Sequence, residues 1–346
     1  MTDDVNIRIE GRAGRITLTR PKALNALSHE MALAIAQALK DWQDDPSVAL
    51  VLIDGEGERA FCAGGDIAEL YRQGTEGIFG PARQFWSDEY RMNAHFAEYP
   101  KPVVSFLHGF VMGGGVGLGC HGSHRIVGDS SRIAMPECGI GLIPDVGGTY
   151  LLSKAPGQLG PYFGLTGARM TAPDAIAAGF ADAYIPEDRW DALKTLLADT
   201  GDITAIDSHI APLPDSPIAP LQDQIDQHFS AADVPAILDS LTAATSDFAQ
   251  DTLKSLGHHA PMAMCATLAL IRMAPKDIRE ALTNEYRYTY RAPEEGDFLE
   301  GIRAQIIEKD RNPKWHHASA AEVPSEQLQA MLAPLGQDDL TFTSLS

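Results

Sequence analysis

The sequence predicts an α/β fold, with a parallel-type sheet in the first half of the chain and a mainly helical C-terminal region. Three observations carry that expectation. Short runs rich in β-branched residues, each bounded by turn signals, recur from Arg15 to Val127. Helical stretches separate them, and strands alternating with helices call for crossover connections and parallel pairing. Beyond about residue 181 the strand signals stop, and residues 221–310 read as helical.

The strands are expected at Arg15–Thr19, Ala49–Ile53, Pro102–Leu107 and Arg125–Val127. Between the first two, Ser28 can N-cap a helix whose apolar positions Met31, Ile35, Leu39 and Trp42 recur at steps of four, four and three. Asp66 can cap the next helix by accepting from the free amides of the Ile67–Tyr71 turn, with Glu69 completing a D-x-x-E box. Pro212, Pro214, Pro217 and Pro220 mark a linker or extended loop. These changes of character suggest a core over residues 1–185 and a mainly helical region over residues 186–346.

Composition narrows the function. The 346 residues include 27 basic and 47 acidic side chains, a net charge of −20, which disfavours a nucleic-acid partner. The surplus is local, since residues 181–260 hold 14 acidic and three basic side chains while residues 1–180 hold 20 and 15. An anionic small-molecule substrate is therefore compatible with the first half. Cys62, Cys120, Cys138 and Cys265 show no paired spacing and read as reduced thiols. The acidic start MTDDVNIRIEG has no apolar or Arg-rich targeting pattern, and no run approaches the length of a membrane span. A cytoplasmic protein with no membrane partner is expected.

Three glycine-bearing segments can carry chemistry. Phe61–Ile67 (FCAGGDI) turns from a strand into a helix, and Gly65 leaves its amide unhindered; an ordinary strand-to-helix turn is the plainer alternative. His108–Gly119 turns through Gly113, Gly114 and Gly115 into a helix, where free N-terminal amides suit a developing anion. Gly115 and Gly119 share a helix face and also suit close packing. The same stretch holds a literal G-x-G-x-x-G at Gly117, Gly119 and Gly122, with Glu137 placed as a ribose acid, but a dinucleotide fingerprint should open at the turn and not inside the helix. Ala134–Thr149 sets two carboxylates, Glu137 and Asp145, in an otherwise apolar glycine- and proline-rich segment. Burial there would raise their pKa values toward catalytic use, although Asp145 could instead cap a helix starting near Val146. His108, His121 and His124 read as packing residues rather than metal ligands, with the last two expected on the glycine helix.

In this order, RPKALNAL (20–27), FCAGGDI, HGFVMGGGVGLG and PDVGGTYLL resemble the crotonase (enoyl-CoA hydratase/isomerase) superfamily. Within it, FWSDEYRMN (85–93), MGGGVGL (112–118), AMPECGIGLIPDVGG (134–148) and GDFLEGIRAQIIEKDRNPKW (296–315) are similar to the 3-hydroxyisobutyryl-CoA hydrolases. The resemblance implies a crotonase-like spiral of ββα repeats with a helical C-terminal region. It implies a reaction that turns 3-hydroxyisobutyryl-CoA into 3-hydroxyisobutyrate and CoA in valine catabolism. It also implies an oxyanion hole from the amides of Gly65 and Gly114. Glu137 would be nucleophile or general base, Asp145 would hold the 3-hydroxyl or orient water, and Glu89 would lie near the acyl group. Lys22, Ala23, Leu24, Ala63, Gly64, Asp66 and Ile67 would contact the CoA ester. No cofactor or metal is implied, because CoA is part of the substrate, and homo-oligomers occur among such proteins. The hydratases carry a second glutamate where this chain has Gly117, so hydration lacks a proton donor. A hydratase or isomerase on another enoyl-CoA, or an acyl-CoA-binding protein without activity, are the alternatives.

Overall fold

The computed structural model describes residues 3–342. Nine strands are described: β1 (Val5–Glu10), β2 (Ala13–Leu18), β3 (Leu50–Gly55), β4 (Ala60–Cys62), β5 (Val103–Leu107), β6 (Phe110–Met112), β7 (His124–Val127), β8 (Arg132–Ala134) and β9 (Ala183–Tyr184). The helices up to the last strand are α1 (His29–Gln43), α2 (Ile67–Thr75), α3 (Gly80–Ala97), α4 (Gly114–Gly119), α5 (Gly148–Lys154), α6 (Leu159–Thr166) and α7 (Ala172–Ala177). After it come α8 (Trp190–Thr200), α9 (Gln222–Phe229), α10 (Val234–Thr242), α11 (Asp247–Leu256), α12 (Pro261–Arg272), α13 (Ile278–Glu295), α14 (Phe298–Ile302) and α15 (Ser325–Leu332).

The chain order is a repeating ββα pattern. Pairs β3–β4, β5–β6 and β7–β8 each give their first strand to a six-stranded sheet ordered β1-β2-β3-β5-β7-β9 and their second to a three-stranded sheet ordered β4-β6-β8. All pairings are parallel except the β1–β2 hairpin. This is the expected α/β fold with its spiral of repeats.

Packing divides the chain into two compact units, each made from three stretches. The first holds residues 1–65, 88–134 and 169–217, and the second holds residues 66–87, 135–168 and 218–346. The expected boundary at 185/186 coincides instead with the end of the last described strand. All nine strands lie in the first unit. On one face of its larger sheet, Leu50 and Leu52 of β3 and Val104 and Phe106 of β5 pack with Trp190, Leu193 and Leu197 of α8. The two-residue spacing on the strands and the steps of three and four on the helix are those of elements sharing one core. The second unit is helical. In it α6 packs on α5 and α12, and α13 packs on α5 and α15.

Local signals were realised unevenly. Ser28 caps α1, its hydroxyl accepting from the Met31 amide at 3.3 Å, and Met31, Ile35, Leu39 and Trp42 are buried. The Asp66 box did not form. Asp66 precedes α2, but its side chain makes no capping bond, and Glu69 bonds Arg72 and Gln73 on the helix surface instead. A nearby guanidinium outcompetes reciprocal backbone capping for that carboxylate. His121 and His124 do not share a helix, because α4 ends at Gly119 and His124 opens β7. Among the described residues, no His, Cys, Asp and Glu side chains group so as to hold a metal ion, and no helix is long and apolar enough to cross a membrane.

Candidate active site

In the first unit, the turn at Arg20–Leu27 and the loop at Cys62–Gly65 are laced together. Ala63 donates its amide to the Leu24 carbonyl at 3.0 Å, and Leu27 donates to the Gly64 carbonyl at 2.9 Å. Leu24 and Asn25 both adopt left-handed backbone, at φ 53° and 55°. Asn25, fully buried, holds that conformation with its side chain. Its Oδ1 accepts from the Arg20 amide, and its Nδ2 donates to the carbonyls of Glu56 and Ala60, each at 2.9 Å. The Cys62 thiol donates to the Gly64 carbonyl at 3.6 Å, and burial pushes its pKa up to about 12, so it buttresses the loop as an inert thiol.

Gly114 is the first residue of α4, so its amide has no partner within the helix. A Cβ added there would lie 2.9 Å from Glu89 Oε1 and 3.5 Å from the Gly65 amide nitrogen. Gly65, Gly114 and the buried Glu89 thus converge on one small space. Lys22 and Ala23 stand exposed on the short helix Pro21–Ala23, beside the partly buried Leu24, Ala63 and Gly64. Gly117 and Gly119 lie inside α4, past the turn at Gly113, so the dinucleotide reading lacks its geometry.

In the second unit, Glu137 begins the 3₁₀ turn Glu137–Ile140, and only 6% of it is exposed. Its Oε2 is buried without a hydrogen-bond partner among the described residues. Burial, then the negative charges of Asp145 and Glu285, hold the Glu137 pKa well above the usual carboxylate range. Asp145 is 5% exposed and stands just before a bent turn. Val146 and Gly147 are both left-handed, at φ 53° and 81°. Glycine adopts that region freely, whereas a β-branched residue there costs about 1–3 kcal/mol. Asp66 and Ile67 also belong to this unit, at the start of α2.

The cap position of the following helix is Gly147 and not Asp145, which the sequence offered as the cap of a helix starting near Val146. Helix α5 starts at Gly148, and its free amides meet Glu285 of α13. Glu285 Oε2 accepts from the Gly147 amide at 2.8 Å, and Oε1 accepts from the Thr149 amide at 2.9 Å and the Thr149 hydroxyl at 2.5 Å. Glu285 is fully buried, and burial outweighs those three bonds to push its pKa up to about 8. Sequence reasoning missed it, yet a signal was present. Ile278, Ala281, Leu282, Glu285, Thr289 and Ala292 follow one helix face, so a glutamate interrupts an otherwise uncharged, mostly apolar stripe.

A carboxyl with a raised native pKa keeps its proton in the folded state after the unfolded chain has lost it. The stability tied to Glu285 is complete below about pH 4.5 and is lost as pH rises through about 8. The thermal midpoint is expected to fall between pH 5 and pH 9, with a shallower fall in Glu285→Gln, as scanning calorimetry will show.

The enoyl-CoA hydratase/isomerase family profile matches residues 13–332. The chain belongs to that family. Among curated members of the enoyl-CoA hydratase/isomerase family, the mitochondrial 3-hydroxyisobutyryl-CoA hydrolase of Rattus norvegicus is 38% identical over 99% of this chain and 91% of its own. The Homo sapiens protein of the same name is 36% identical over 98% and 91%. Among solved structures, an enoyl-CoA hydratase from Rhodobacter sphaeroides is 51% identical, with a TM-score of 0.94 over 98% of this chain and 100% of its own. A carnitinyl-CoA dehydratase from Mycobacterium thermoresistibile is 43% identical, with a TM-score of 0.94 over 99% of each chain.

Proposed function

We propose that this enzyme of the enoyl-CoA hydratase/isomerase family hydrolyses short 3-hydroxylated acyl-CoA thioesters, with 3-hydroxyisobutyryl-CoA as the main substrate and 3-hydroxyisobutyrate and CoA as products. The observation that carries the reading is the buried pair Glu137 and Asp145, together with Gly117 where hydration would need a second glutamate. The near-full-length likeness to proteins named for that hydrolase supports it.

In this reading the amides of Gly65 and Gly114 polarise the thioester carbonyl and receive its developing negative charge. Ionised Glu137 either attacks the carbonyl carbon or takes a proton from an attacking water. On the first route the C–S bond breaks, CoA leaves as thiolate and takes up a proton, and water then cleaves the glutamyl anhydride to acid and free Glu137. On the second, water adds directly and CoA leaves in the same way. Asp145 holds the 3-hydroxyl or the water, and Glu89 lies toward the acyl group. Lys22, Ala23, Leu24, Ala63, Gly64, Asp66 and Ile67 contact the CoA ester. The substrate points to a step of valine catabolism. We place the enzyme in the cytoplasm on the character of its sequence, whereas the curated relatives are named as mitochondrial.

The test is a thiol-release assay over a panel of acyl-CoA esters, run beside an ultraviolet assay for loss of an enoyl thioester. Fast release from 3-hydroxyisobutyryl-CoA with no enoyl turnover is expected. Enoyl hydration without thiol release would replace this reading with the hydratase one, and tight CoA-ester binding without turnover would replace it with a binding protein.

A further inference from the structure

The turn after Asp145 carries an expense that its own sequence does not explain. Val146, a buried β-branched residue, stands in left-handed backbone immediately after the aspartate, and Gly147 follows it in the same region. Such a conformation persists only where the surroundings over-determine it, and strained residues of this kind gather at functional sites. One side chain from far along the chain contributes to those surroundings. Glu285 grips the turn at Gly147 and at both the amide and hydroxyl of Thr149, from a helix 136 to 138 residues further along the chain. The Asp145 carbonyl closes the turn from the other side, accepting the Gly148 amide at 2.6 Å.

A helix start in need of caps could be served by a serine, threonine or asparagine, or by water. A fully buried carboxyl group is a costly way to satisfy three donors, because a strongly polar group must leave water. What it adds is geometry, since two oxygens on a rigid fork fix two amides at once. Those amides flank Gly148 and follow the strained Val146, so any slack in the grip is taken up at Asp145.

We propose that Glu285 is a positioning residue, whose hold on Gly147 and Thr149 keeps the Val146 turn strained and so sets the aim of the Asp145 carboxylate at the substrate's 3-hydroxyl. This rests on the hydrolase reading, and on the role in it that has Asp145 hold that hydroxyl rather than the water. Glu285 itself touches no substrate.

Glutamine is a poor substitute. It has one acceptor oxygen, and its NH₂ group would face an amide donor that the carboxylate now accepts. Thr149→Val is the gentler cut, since it removes the hydroxyl donor and leaves the amide bond. Thr149→Ser is its control and keeps the donor.

The experiment uses the full chain and measures kcat/KM for 3-hydroxyisobutyryl-CoA and for isobutyryl-CoA, which lacks the hydroxyl. The wild type is expected to prefer the hydroxylated ester by about a hundredfold or more. In Glu285→Gln that preference falls about tenfold or more, in Thr149→Val it falls several-fold, and in Thr149→Ser it stays within about twofold of wild type. A general loosening of the fold would lower both substrates together, so a parallel fall with the preference intact overturns the inference. An unchanged preference in Thr149→Val overturns it as well, and that comparison decides if Glu285→Gln does not fold. A wild type that hydrolyses both esters equally strikes instead at the role of Asp145, and it is read before any variant is made.

Discussion

In the hydrolase reading, replacing Glu137 by Gln is expected to lower kcat for thiol release from 3-hydroxyisobutyryl-CoA by about 10³–10⁴, with little change in KM. The environment of Glu137 decides where the loss falls. Burial and two neighbouring carboxylates hold the Glu137 pKa well above the ordinary range, so the site disfavours its charged form. Glutamine has the same shape and is neutral, so it fits the site as the protonated acid does, and the fold should survive. Chemistry needs the other form, because only the carboxylate can attack a carbonyl carbon or accept a proton from water. The loss therefore falls on kcat. For the same reason kcat/KM in the wild type rises with pH through the raised Glu137 pKa. Asp145→Asn, which removes the larger of the two like charges acting on it, moves that limb to lower pH. Trapping a mixed anhydride on Glu137 by borohydride reduction distinguishes the nucleophile from the general base. A Glu137→Gln protein with wild-type kcat would remove Glu137 from the chemistry.

Gly114→Ala keeps the backbone amide but sets a methyl group beside it, and is expected to lower kcat by about 10²–10³, as much as losing one oxyanion donor. Its new methyl group would stand 2.9 Å from Glu89 Oε1 and 3.5 Å from the Gly65 nitrogen, in the space an oxyanion would occupy. Glu89 Oε1 is the far end of a flexible side chain and can give way, so the thermal midpoint changes little. At the next position the same substitution does something different. A Cβ on Gly115 would lie 2.1 Å from the Cys62 carbonyl oxygen, which is backbone and cannot move aside. Gly115→Ala therefore reads out as lost stability. Parallel measurements of kcat and thermal midpoint for the two variants separate the effects, and a fully active Gly114→Ala would discount the oxyanion role.

Features made by adjacent residues were readable in advance. The four strand runs reappear as β2, β3, β5 and β7 with shifts of at most two residues at their ends. Ser28 caps α1 because an N-cap bond spans only three residues. The three glycine segments lie at the turns where they were expected, and Glu137 and Asp145 are buried together as an apolar, glycine-rich setting implies. Even so, local reading failed where a second local partner competed, as when Arg72 drew Glu69 away from the Asp66 box.

Asn25 and Glu285 show where sequence reading ends. Asn25 looks like an ordinary turn residue, and its importance comes from the carbonyls of Glu56 and Ala60, more than 30 residues away. Glu285 was visible as a charge on a buried face, but nothing near it named the Gly147–Thr149 turn as its partner. Chain order therefore specified four of the nine described strands, the Ser28 cap, the glycine turns and the chemical types present at the site, because these depend on interactions a few residues long. Packing assigned the grip on the Asp145 turn, the convergence of Gly65, Gly114 and Glu89, and the raised pKa of Glu137. Those depend on burial and on charges brought close by folding, and neither distance nor exclusion of water is written in the order of residues.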